Sequence, residues 1–340
     1  MSTVQPPIDA GRPATTDHAP AALAGKPRIV IGEFAWIWIA TAVLFAVSAV
    51  LAPGSIRIGS LAAMAPFASF LAIVAIGQTL VIRQRGLDMS SGGMMTFAGL
   101  FVAEFAARSG TDFLAVLATL AVCAGVGAAN GLLVARVSIS PIVATLATNA
   151  LLIGGVRTIS GGTPLNVPLS LQRFSHAPLF GVPMSVILAG AFVVVVALLV
   201  NKTVVGRRFV AVGANPATAA AAGVRITRYQ VAAYAGAAVC FAVSGMMLAA
   251  FIGFASQSAG NDYLLPGIVA VVVGGTPFGG GRGSIVASAV AALFMAQLSQ
   301  LVLSMGATPA VQLLVQAIAI VLAVVMRAFP GRLSRRLPHA

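Results

Sequence analysis

The chain has 340 residues and carries 20 Lys plus Arg, 7 Asp plus Glu and 59 % hydrophobic residues. Its charged fraction is 8 %, against about 25 % in an ordinary soluble domain, so a water-soluble enzyme and a disordered chain are both excluded. The net charge of +13 lies between apolar runs rather than along one amphipathic stripe, which points to the flanks of membrane spans and away from nucleic acid.

Residues 1–33 are polar and rich in Pro, Ala and Thr, and read as a disordered cytoplasmic tail. The first apolar run, 34–52, is longer than a secretory h-region and starts late, so a retained span is expected. A bilayer-crossing helix needs about 20 apolar residues at about 1.5 Å each. The runs 34–52, 61–82, 113–135, 229–252 and 284–305 meet that length, and 184–200 and 309–326 approach it without a charge. Three segments are weaker. Residues 88–107 contain Asp88, Glu104 and several glycines; 141–159 begin at Pro141 and contain Asn149 and Arg157; 263–279 follow Asp262 and end in glycines.

These segments predict an all-α integral membrane protein of about ten transmembrane helices, some short or discontinuous. The transmembrane domain covers 34–327, and 328–340 form a basic cytoplasmic tail. With both termini cytoplasmic, only Arg57, Arg108, Arg157 and Arg173 of the 20 basic residues fall on the outer side. Irregular backbone at membrane depth survives only where protein buries it or a wet cavity lies beside it. The weak spans are therefore candidates to line a pathway, or else are helices packed closely through small residues.

Groups for catalysis are scarce. Beyond residue 33 the acids are Asp88, Glu104, Asp112 and Asp262, with no close pair in sequence. His18, His176 and His339 are scattered, and Cys123 and Cys240 lie in apolar runs, so neither a metal site nor an enzyme is expected. The glycine-rich stretch 274–283 has no lysine, and the chain's lysines are Lys26 and Lys202, so no phosphate-binding P-loop exists. Gly274, Gly275, Gly279, Gly280 and Gly283 read instead as a structural turn between two closely packed spans. An ion-coupled secondary carrier of a small neutral solute is the alternative function, opposed by the near absence of ionisable residues within the spans. Gln78, Asn130, Asn149, Gln297, Gln300, Gln312 and Gln316 suit a neutral hydroxylated substrate or hydrogen bonds between helices. From the irregular spans, Gln78, Asp88, Asn149 and Asp262 are candidates for the conduit, with helix capping as the competing role for Asp88.

The basic loop 201–228 carries one built feature. Asn215 suits an N-cap, Pro216 the first helical position, 217–222 are helix formers and Gly223 suits a left-handed C′ position. The pattern predicts a short, capped cytoplasmic helix whose alanine face, at Ala219 and Ala220, a groove on another protein could accept.

Five stretches are similar to a known family. Gly86-Leu87-Asp88-Met89-Ser90 is similar to G-I-D-L-S, and Asn130-Gly131-Leu132-Leu133-Val134 to N-G-L-L-I. Pro141 to Leu146 with Ser160-Gly161-Gly162-Thr163-Pro164 is similar to P-x-I-A-T-L and G-G-x-P. Gly213 to Val224 and Gly274 to Gly283 complete the set. In this order and spacing, over about residues 60 to 326, the chain resembles permease subunits of bacterial ABC importers for simple sugars of the ribose, xylose, arabinose and galactose type. It departs at Arg85, where the family often has Gly, at Ser91, where it often has Val, and at Pro277, where Ser is usual.

The resemblance implies a bacterial inner-membrane permease domain that pairs with a second permease copy, two cytoplasmic ATPase subunits and a periplasmic sugar-binding protein. ATP and Mg would then belong to the ATPase, with no cofactor in this chain. The helix at Asn215, Pro216, Ala219, Ala220 and Gly223 would be the coupling contact with that ATPase.

Overall fold

The computed structural model describes residues 34–328. The tails expected at 1–33 and beyond Ala328 lie outside them. The first helices in chain order are α1 (Ala35–Leu51), α2 (Ile58–Arg83), α3 (Ser91–Ser109), α4 (Asp112–Ala135) and α5 (Pro141–Ser160). There follow α6 (Leu169–His176), α7 (Met184–Lys202), α8 (Val204–Ala214) and α9 (Pro216–Ala221). The last are α10 (Ile226–Ile252), α11 (Asn261–Val273), α12 (Ile285–Ser304) and α13 (Pro309–Ala328). Every expected apolar segment coincides with one of these; α6, α8 and α9 are additional short helices. The fold is an all-α, multi-pass membrane bundle, in which α2, α4, α5, α7, α10 and α12 are each long and apolar enough to cross a bilayer.

The weak segments resolve differently. The segment expected over 141–159 is an unbroken helix, α5, so it contributes side chains rather than irregular backbone. The segment expected from 88 starts as a helix only at Ser91, leaving Asp88 in the preceding turn. The segment expected to reach 279 stops at Val273, because Gly275 takes a φ of +99° and the chain turns away. That leaves α11 with 13 residues, about 20 Å at about 1.5 Å each, short of the roughly 30 Å hydrocarbon core.

The centre of the bundle is α10, which packs on α2, α3 and α4. Of its most apolar stretch 67 % is buried, against 17 % for α7, so α10 is an inner helix of the bundle and α7 an outer one. In lipid no hydrophobic force drives helices together, and close backbone approach through small residues replaces it. Gly127 and Gly131, one turn apart on α4, supply this approach to α10. A Cβ at Gly131 would sit 2.6 Å from Val231 Cα. On the outer helices large apolar side chains point outward, among them Val50, Leu151 and Phe113.

Two short ribbons depart from a purely helical expectation. Leu165–Asn166 pairs antiparallel with Phe254–Ala255, tying the chain after α5 to the chain after α10. Pro178–Leu179 pairs with Val182–Pro183 across a tight turn at Phe180 and Gly181.

Candidate functional site

The first cluster forms where α2 turns into α3. Gln78 Nε2 donates to the Asp88 carbonyl at 2.6 Å and to Ser91 Oγ at 3.3 Å. The start of α3 therefore lies beside the last turns of α2, within the bundle. Asp88 Oδ1 accepts from Ser90 N at 2.8 Å and Ser90 Oγ at 2.5 Å, so the carboxylate organises its own turn. Its Oδ2 has no hydrogen-bond partner among the described residues.

The first N–H groups of a helix have no partner within the helix. Here α5 provides one from outside: Asn149 Oδ1 accepts from Gly93 N at 2.8 Å. One turn earlier, Thr145 Oγ1 accepts from Met89 N at 2.9 Å. The short α11 starts beside the same place. Gly260 N donates to Thr96 Oγ1 at 3.1 Å, and a Cβ at Gly260 would run into the Gly92 carbonyl. Gln78, Asp88 and Asn149 thus meet around two helix starts, whereas Asp262 is exposed in the first turn of α11 and joins none of these bonds.

The remaining uncharged polar residues divide. Thr148 Oγ1 donates to Asn130 Oδ1 at 2.5 Å, Gln297 Nε2 to Ser48 Oγ at 3.0 Å and Gln316 Nε2 to Ser299 Oγ at 2.7 Å. These bonds join α4 to α5, α12 to α1 and α13 to α12. They hold helix pairs together, the structural of the two roles open to them.

The second cluster lies at the basic end of the bundle, around α9. Asn215 Oδ1 accepts from Thr218 N at 3.2 Å, and Pro216 occupies the first position. Gly223 has a φ of +77°, with Val224 N donating to the Ala219 carbonyl at 3.0 Å, so the helix is closed at both ends. The structure separates the two alanines singled out above: Ala219 is buried within this chain, and Ala220 is exposed beside Ala217 and Ala221. The outward face is therefore centred on Ala220.

The helix α9 is one arm of an elbow. Before it runs α8, capped by Thr203 Oγ1 accepting from Gly206 N at 3.0 Å and buried along Gly206, Phe209, Val212 and Gly213. The elbow is fastened to the end of α2. Gln84 Nε2 donates to the Phe209 carbonyl at 2.7 Å, Arg85 Nε donates to the Gly213 carbonyl at 2.8 Å, and Arg85 Nη2 donates to the Ala214 carbonyl. Gly281 N, from the loop between α11 and α12, donates to the Arg83 carbonyl at 2.8 Å.

The glycine-rich turn serves this junction. Gly280 and Gly283 have φ of +78° and +152°, and a Cβ at Gly280 would sit 2.8 Å from the Gly213 carbonyl oxygen. A Cβ at Gly274 would lie 2.9 Å from Ala287 and Ser288 backbone atoms, which sets the approach of α11 to α12. Gly275 is left-handed, and Gly279 has open space around its Cα.

Sequence reasoning missed Thr145, Gln84, Arg85 and α8. The buried face of α8 follows Gly206, Phe209, Val212 and Gly213 at helical spacing, a signal that two glycines and the neighbouring Arg207 and Arg208 obscured in the sequence. Arg85 did stand out as a departure, and the structure gives its backbone a φ of +63°, a conformation that suits glycine.

Chemically, the first cluster gathers amide and hydroxyl groups and the buried Asp88 carboxylate around two helix starts, and the second offers a small rigid projection. Among the described residues no group of three or more His, Cys, Asp or Glu could hold a metal ion.

The chain is 31 % identical over 293 residues to the ribose import permease protein of Escherichia coli (strain K12), covering 85 % of this chain and 91 % of the relative. It is 31 % identical over 257 residues to the ribose import permease protein of Bacillus subtilis (strain 168), covering 75 % and 80 %. It is 29 % identical over 248 residues to the fructose import permease protein of Bifidobacterium longum (strain NCC 2705), covering 70 % of each chain. No solved structure matches it significantly. The family described as "Branched-chain amino acid transport system / permease component" matches residues 60–324, and the chain belongs to that family.

Proposed function

We propose that this chain is the membrane-spanning permease subunit of an ABC importer that moves a simple sugar of the ribose type across the bacterial inner membrane. The relatives named for ribose and fructose import support a sugar over a branched-chain amino acid. Within the helices every charged side chain lies within two turns of an end, and the buried acid of the candidate conduit is Asp88, in the turn before α3, with its Oδ1 held by Ser90. A sugar calls for hydrogen-bond donors and acceptors, and a carboxylate serves as an acceptor as an amide oxygen does. The cluster of Gln78, Thr145 and Asn149 around the starts of α3 and α11 is the observation that carries the reading, because it puts such groups where helices are interrupted.

In this reading ten apolar segments make the crossings, the short α11 together with the chain that precedes it, with both termini cytoplasmic; residues 34–327 form the permease domain, and the segments outside it are cytoplasmic tails. Gln78, Asp88 and Asn149 lie on or beside the conduit, with Asp262 at its margin. A cytoplasmic ATPase, holding ATP and Mg, docks on α9 through Asn215, Pro216, Ala220 and Gly223, with Ala219 packing the helix onto its own chain. A periplasmic sugar-binding protein delivers substrate, and a second copy of the permease completes the path. The test is uptake by cells that express this chain with its ATPase subunit and binding protein. Labelled ribose, xylose, arabinose or galactose should accumulate and leucine should not; accumulation of leucine alone would overturn the sugar assignment.

A further inference from the structure

We propose that Arg85 is a positioning residue that clamps the α8–α9 elbow to the α2–α3 turn and so delivers movement of α9 to the polar cluster at the start of α3. The inference rests on α9 being the ATPase contact.

Three observations carry it. The first is the grip itself. The last carbonyls of a helix have no partner within it and carry the negative end of its dipole. Arg85 donates from Nε to the Gly213 carbonyl at 2.8 Å and from Nη2 to the Ala214 carbonyl, so one planar guanidinium holds two groups at the end of α8. The next residue, Asn215, is the N-cap of α9. The fork therefore holds the hinge of the elbow, not a remote part of it.

The second is the backbone at the same residue. Arg85 has a φ of +63°, one of three non-glycine residues with positive φ among the described residues. A glycine would adopt this conformation without a steric penalty. The chain keeps an arginine where the backbone favours glycine, and its exposed side chain spends two N–H groups on the end of α8.

The third is what lies on either side. Gln84 holds the Phe209 carbonyl at 2.7 Å, and the Arg83 carbonyl holds Gly281 N at 2.8 Å, so residues 83–85 join α8 and the glycine-rich loop in one junction. A Cβ at Gly213 would overlap the Arg83 carbonyl, so the surfaces meet with no slack. On the far side, residues 86–90 are bound in turn: Asp88 through its carbonyl to Gln78, Met89 to Thr145. A push on α9 reaches these groups through one short, hydrogen-bonded segment.

The test compares wild type with Arg85→Gly, which relieves the positive φ and removes the fork, and with Arg85→Lys, which keeps the charge but not the planar fork. One arm uses the permease alone, in nanodiscs, with a spin label on a cysteine replacing Ala220. The clamp predicts that Arg85→Gly mobilises the label; an unchanged spectrum overturns it. The other arm uses the reconstituted complex with its ATPase and binding protein, reading ATP hydrolysis and sugar uptake separately. Both variants should retain the ATPase and hydrolyse ATP, while sugar moved per ATP falls at least about fivefold, the lower range of a coupling between sites. A purely structural role would lower uptake and hydrolysis in parallel, and an unchanged ratio overturns the proposal. Undiminished ATPase retention by Ala220→Arg overturns the docking of α9, and the transmission with it, a result distinct from either.

Discussion

Replacing Asn149 by alanine should loosen the start of α3. The change removes the acceptor that Gly93 N reaches at 2.8 Å. Loss of a helix cap costs about 0.5–2 kcal/mol. A donor left without a partner away from water pushes the figure toward the upper end, about 2 kcal/mol. For a domain of this size that lowers the unfolding midpoint by roughly 3 °C. Thr145→Val, nearly isosteric, removes the acceptor for Met89 N and should cost about 1 kcal/mol. The two bonds hold the same turn, so the double variant should lose less than the sum. The protein carries its own reporter: Cys123 and Cys240 are free and buried, and a thiol-reactive dye reads their exposure on heating. A midpoint for Asn149→Ala within about 1 °C of wild type, with unaltered uptake kinetics, would refute both the capping role and a place for Asn149 on the conduit.

Four further outcomes are expected. Ala220→Arg, on the exposed face of α9, should abolish co-purification of the ATPase while leaving membrane insertion intact. Gly223→Val must adopt a φ of +77°, at a cost of about 1–2 kcal/mol, and should weaken ATPase retention by distorting the end of α9. Gly245→Ala drives a Cβ into the Met95 carbonyl, and overpacking at this α3–α10 crossing should cost about 1–3 kcal/mol, read as a lower dye midpoint. A cysteine placed at Ser109 or Ala307 should react with an impermeant reagent from outside, and one at Thr203 only after permeabilisation; outside reaction at Thr203 would overturn the ten-span arrangement.

How much of this was legible follows from the range of the interactions. A membrane helix is written in its own composition, so each apolar run became a helix, and all but α11 end within a few residues of the bounds expected. The capping of α9 was legible because Asn215, Pro216 and Gly223 act within one turn of themselves. The length of α11 was not, because the left-handed turn at Gly275 ends the helix although apolar and small residues continue. The grouping of Gln78, Asp88 and Asn149 could be suspected from weak spans. The bond from Asn149 to Gly93 crosses between helices 56 residues apart, and no local pattern announces it. Asp262 is exposed in the first turn of α11 and joins none of these bonds, so its place at the conduit's margin rests on its position beside a short span. The fork of Arg85 reaches carbonyls 128 and 129 residues away, beyond any sequence signal but its departure from glycine.

The most direct test of the central claim is uptake of labelled ribose into proteoliposomes that hold this chain with its ATPase and receive the binding protein on the opposite side. The account predicts uptake that requires hydrolysable ATP on the ATPase side and continues when ionophores collapse all ion gradients. Uptake that proceeds without ATP and stops when an ion gradient is collapsed would contradict it and identify a secondary carrier instead.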